Sequence, residues 1–87
     1  MFKNRAKSGK NNVCGNAICQ LRKQATPKMS QQSLAQKCQL LGLDIDKNAI
    51  QRIESGQRFV TDIELLYFCQ IFHVSVDELL TNTYLQA

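Results

Sequence analysis

The sequence predicts an all-α fold, a compact five-helix bundle carrying a disordered, basic N-terminal arm. Three observations predict it. Apolar residues recur at helical spacing in five successive segments. Two Ser/Thr-x-x-Glu boxes, Thr61 to Glu64 and Ser75 to Glu78, mark helix starts. No segment carries a strand signal. The length of 87 residues fits one small domain and no second one. A chain of this size buries only about 60–65% of its unfolded surface, so dimerisation can add to its stability.

Residues 1–12 read as a flexible arm. Lys3, Arg5, Lys7 and Lys10 bring positive charge with no acid among them, and the remaining seven basic residues are balanced by seven acidic ones. The formal net charge of +4 therefore sits entirely in the arm. A basic segment without periodicity is expected to be disordered when free. It is suited to lie along phosphates or enter a groove; a tail that only aids solubility, or a vector remnant, is an equal alternative.

Residues 13–81 form the domain. The first helix is expected from Asn12 or Val13, with Cys14, Ile18, Leu21 and Ala25 on one face. Gly15 should weaken its start by about 1 kcal/mol relative to Ala. Pro27 stops it, and Thr26 is pushed toward extended geometry. Ser30 caps the second helix, whose buried stripe is Leu34, Cys38 and Leu41 with Ala35 beside it. Gly42 suits the left-handed position that ends it. In the link that follows, Leu43 and Ile45 are expected to point inward.

Asp46 caps a third helix that ends before Gly56. On a helical wheel Lys47, Asn48, Gln51, Arg52 and Ser55 share an arc of about 140°. Ala49, Ile50 and Ile53 fall opposite. One side can bury while the other presents amides and cations. Asn and Gln can bond an adenine edge twice, and Arg and Lys a guanine edge; taken alone, such an arc is more often a solvated helix face, and the surrounding stretch shifts the balance. After a loop at 57–60, Thr61 opens a fourth helix with Leu65 or Leu66, Cys69 and Phe72 inward, and Tyr67 and Gln70 outward. His73 closes it and has no catalytic partner in sequence. Val76, Leu79 and Leu80 give the apolar face of a fifth helix, and 82–87 is a short tail.

Several of these residues together resemble the phage-repressor-like helix-turn-helix family, the XRE or Cro/repressor group. They are Met29-Ser30-Gln31 with Leu34-Ala35, Ile50-Gln51-Arg52-Ile53-Glu54-Ser55-Gly56 followed by Gln57-Arg58, and Phe72-His73-Val74-Ser75-Val76-Asp77-Glu78-Leu79-Leu80. The similarity spans about residues 13 to 80. Between Leu34 and Asp46 the chain is longer than the family pattern, which reads as one more helical turn plus a longer link.

The resemblance implies a lambda-repressor-like DNA-binding fold and a division of labour. Lys47, Asn48, Gln51 and Arg52 would contact bases in the major groove. Gln31, Gln57 and Arg58 would contact phosphates. Arg22 and Glu54 would form an ion pair tying the first helix to the third. The implied function is a sequence-specific regulator of double-stranded DNA, a repressor acting as a homodimer on a two-fold operator. The fifth helix with Tyr84 and Leu85 is the expected dimer surface. The alternative is a protein-interaction module, an antitoxin or adaptor, built on the same fold.

An enzyme is not expected, because nucleophile–base pairs and Gly-rich phosphate loops are missing. No cofactor, metal or small-molecule effector is implied. Cys14, Cys19, Cys38 and Cys69 include no C-x-x-C pair. Cys38 and Cys69 read as small hydrophobes. No run approaches the roughly 20 apolar residues of a membrane span, and the polar N-terminus lacks a signal-peptide core. The expected location is the cytoplasm, where disulfides are unusual.

Overall fold

A computed structural model describes residues 9–81 and contains five helices: α1 (Gly15–Gln24), α2 (Gln31–Leu40), α3 (Lys47–Glu54), α4 (Asp62–Phe72) and α5 (Val76–Thr81). They form a compact all-α bundle. α1 packs against α3 and α5, α2 against α3 and α4, and α4 against α5. At the centre lie Ile18, Leu34, Ile50, Ile53, Phe68 and Leu79, all fully buried. Among the described residues no helix is long and apolar enough to cross a membrane. The tail residues Tyr84 and Leu85, and Lys3, Arg5 and Lys7 of the arm, lie outside the described residues.

Most helix ends follow local chemistry. The Ser30 hydroxyl accepts from the Ser33 N–H at 3.0 Å, and an Asp46 carboxylate oxygen accepts from the Ala49 N–H at 2.8 Å. Thr61 and Glu64 complete a reciprocal box, as do Ser75 and Glu78. Gly42 has φ 104° just past α2, and the Leu43 N–H reaches back to the Cys38 carbonyl. Ile45 then turns into the core and Leu43 packs against it.

Four expectations need correction. α1 begins at Gly15, with Cys14 as its N-cap residue, because the first helical bond runs from the Ile18 N–H to the Cys14 carbonyl, while the Asn12 side chain accepts from the Gly15 N–H at 2.8 Å. Leu41 leaves the predicted stripe: α2 ends at Leu40, and Leu41 is exposed at its C-cap. In α4 Leu65, Cys69 and Phe72 pack against the core as expected, but the fully buried side chain is Phe68, and Leu66, the other option, faces solvent. The cause is that α4 is apolar nearly all round, so periodicity alone does not choose its inner side. Finally, the arm does not run free to residue 12. The Asn11 N–H donates to the Gly56 carbonyl at 2.8 Å, and the Asn11 and Asn12 amides bond carbonyls beside the end of α3.

His73 sits in the left-handed region at φ 56°, closing α4 with its N–H on the Cys69 carbonyl. Glycine takes this position more readily. His73→Gly is therefore expected to stabilise the fold by a few tenths to about 1 kcal/mol, read as a higher urea midpoint; a lower midpoint would show that the imidazole contributes more than its strained backbone loses.

Candidate nucleic-acid interface

α3 is short, and its eight residues divide cleanly. Ile50 and Ile53 are fully buried, whereas Lys47, Asn48, Gln51, Arg52 and Ser55 are all exposed. The outward face therefore offers two amides, an ammonium and a guanidinium on one side of a rigidly held helix. Gln57, in the following loop, is also exposed.

The hold on α3 comes chiefly from its C-terminal end. Arg22 of α1 donates to both carboxylate oxygens of Glu54, through Nε at 2.7 Å and Nη2 at 2.9 Å. Its Nη1 donates to the Met29 carbonyl at 3.1 Å. The amide of Gln31, at the start of α2, donates to Glu54 Oε1 at 3.0 Å. A single carboxylate thus joins three helices. The Asn12 amide adds bonds to the carbonyls of Ile53 and Arg58, at 3.0 and 2.7 Å. The chain then turns at Gly56, φ 83°, where the Lys10 side chain lies close over the backbone.

Burial pushes the Glu54 carboxyl up, but the hydrogen bonds from Arg22 and Gln31 outweigh it and leave Glu54 below its ordinary range. Glu64 is held low as well, chiefly by its bonds to Arg58. Both carboxylates titrate below their unfolded value near 4.5. A depressed carboxyl contributes stability that is present above the unfolded pKa and is lost as pH falls through the folded one. Stability is thus expected to be level above about pH 5 and to decline steadily below about pH 4.5. Urea midpoints between pH 2 and 7 would measure this, and Glu54→Gln should flatten the acid limb. A stability that holds level down to the lowest pH would contradict the assignment.

Two residues expected at phosphates are committed elsewhere. Gln31 gives its amide N–H to Glu54. Arg58 forms a two-pronged pair with Glu64, Nη1 to Oε1 at 2.9 Å and Nη2 to Oε2 at 2.8 Å, and also donates to the Phe59 carbonyl. The reason is that Glu64, in the first turn of α4, is buried and needs a counter-charge. Arg58→Ala is therefore expected to act first on stability, by about 1–3 kcal/mol because the remaining carboxylate is stranded. A thermal midpoint within 2 °C of the parent would show that Glu64 is satisfied without it.

The Arg58–Glu64 pair and the Asn11–Asn12 clasp carry no sequence signature beyond a Glu in a capping box and two Asn before a helix. The cysteines are all free thiols. Burial pushes Cys14 and Cys38 up to about 11, which makes them poor nucleophiles. Among the described residues no group of three or more metal-ligating side chains comes together. Compared with protein-family models, curated protein sequences and solved structures, the chain finds no match.

Proposed function

We propose that the chain is a sequence-specific double-stranded DNA-binding regulator, a repressor acting by occlusion, that reads the major groove with α3. One observation carries the reading: Lys47, Asn48, Gln51 and Arg52 all stand exposed on a helix whose opposite side is fully buried and whose end is pinned to α1 and α2. A helix fits the major groove, and these are the side chains that hydrogen-bond purine edges in pairs. Pinning matters because base readout needs a fixed register. The similarity to the Cro/repressor group supports the same assignment.

Gln57, and Lys10 at the edge of the clasp, are the phosphate contacts in this reading. Gln31 acts instead through the start of α2, where open backbone N–H groups and the helix dipole favour an anion. Residues 10–12 cross the end of α3. Removing residues 1–8 is expected to make the salt slope of binding shallower, by up to about 0.9 for each phosphate the arm neutralises.

The test is selection of preferred duplexes from a random pool, run on the parent and on single variants. A defined consensus is expected. Lys47→Ala and Asn48→Ala should each relax preference at one position by about 1–3 kcal/mol, roughly five- to 150-fold. Gln57→Ala should weaken binding evenly across sequences. Recovery of no consensus, or an affinity flat between 50 and about 200 mM salt, would refute the reading.

A further inference from the structure

A second exposed surface owes nothing to the outward face of α3. Among the described residues the large apolar side chains open to solvent are Val13, Leu40, Leu41, Phe59, Ile63 and Leu66. Several share one side of the molecule. Ile63, Leu66 and Gln70 recur at i, i+3 and i+7 along α4, on the side away from the buried Phe68. Gln70 and Ile71 then line an open groove with Lys37, Leu40, Leu41 and His73, where the C-terminal ends of α2 and α4 meet. Leu40 is 87% exposed, Ile63 63% and Leu66 61%, which is unusual for neighbouring leucines and isoleucines on a domain that stays alone.

We infer that this α2–α4 face is where a second copy of the chain docks. The charge layout points to a copy of itself rather than to another partner. Asp62 stands at the N-terminal end of the α4 stripe, and Lys37 stands beside its C-terminal end. Both are exposed, and α4 between its two ends spans about 15 Å. Between residues 62 and 72 the only other charge is Glu64, which is turned inward. A two-fold axis through the middle of the stripe runs the two α4 helices antiparallel. Each Asp62 then meets the partner's Lys37, Leu66 meets its counterpart near the axis, and Ile63 lies opposite the partner's Gln70 at the other end of the stripe. An interface of this kind is self-complementary, as two-fold symmetry demands, and its centre has the uncharged character of interface cores. The inference is independent of DNA binding, although a two-fold dimer is what the proposed function requires.

Sedimentation equilibrium of the full chain, reduced and without DNA, tests it. The parent should be dimeric at tens of micromolar. Leu66→Glu and Leu40→Glu should each weaken dimerisation about tenfold or more, with helical circular dichroism unchanged because both positions are exposed. Lys37→Glu and Asp62→Lys should each weaken it, and the two together should recover most of the loss. A parent that is monomeric at hundreds of micromolar overturns the inference, as does a dimer indifferent to both leucine variants. A double charge swap worse than either single change overturns it too. Loss of the dimer on deleting 82–87, with Leu66→Glu neutral, would assign the contact to the tail instead. A dimer that selects no duplex leaves this surface standing and removes the DNA reading; a monomer that selects one does the reverse.

Discussion

Arg22→Met is expected to lower the unfolding free energy by about 3 kcal/mol, because it leaves the Glu54 carboxylate buried without its counter-charge. The magnitude follows from burial. The Arg22 and Glu54 side chains are only 11% and 6% exposed, and the pair is close at 2.7 Å. A solvated pair would contribute less than about 1 kcal/mol. At roughly 4–8 °C per kcal/mol for a domain of this size, the thermal midpoint should fall by about 12–24 °C. Replacing both residues, Arg22→Met with Glu54→Met, removes the stranded charge and should recover at least half of the loss. Thermal unfolding at pH 7 followed by circular dichroism measures both. A fall of less than about 4 °C for the single variant would mean that water reaches Glu54.

Gly15→Ala should reverse the usual sign of its kind. At an exposed helix position the change gains about 1 kcal/mol. Here a methyl group at residue 15 would run into the Ile53 carbonyl, backbone against backbone, and into the Asn12 side chain. Neither α1 nor α3 can yield without pulling Ile18 or Ile53 from the core. The expected result is a net loss of about 1–3 kcal/mol, read as a lower urea midpoint with an unchanged slope. Because Ile53 belongs to α3, the same change should also weaken duplex binding if α3 is the reading helix. Gln36→Ala, on the exposed side of α2, serves as the control and should move the midpoint little. A Gly15→Ala midpoint above the parent's would refute the close-approach argument.

Those two residues also mark the boundary of what sequence reasoning reaches. Gly15 reads from sequence as a weak start to a helix. Its real role is to let two helix ends touch, and that depends on a carbonyl far along the chain, at Ile53. Arg22 and Glu54 pair in sequence only through family similarity; spacing alone does not bring together charges that lie on different helices. Gln31 and Arg58 illustrate the converse. Their residue types suit phosphate, yet each has a carboxylate brought to it by the fold.

What chain order and residue type settle is local. Ser30, Asp46, Thr61 and Ser75 begin helices because their side-chain oxygens satisfy N–H groups three residues on. Gly42 and Gly56 end helices because they accept positive φ. The exposed arc of α3 follows from the 3.6-residue period, since burying Ile50 and Ile53 leaves Lys47, Asn48, Gln51 and Arg52 outside. Packing decided the remainder. α4 is apolar on most sides, so only packing against α2 and α5 selected Phe68 for the core and left Ile63 and Leu66 in solvent. Asn11 and Asn12 left the arm because the fold brings their amides to carbonyls of the turn and loop that follow α3, at Gln57 and Arg58, and to the Ile53 carbonyl. Short-range hydrogen bonding is encoded within a few residues; burial and charge pairing are properties of surfaces that meet only when the chain has folded.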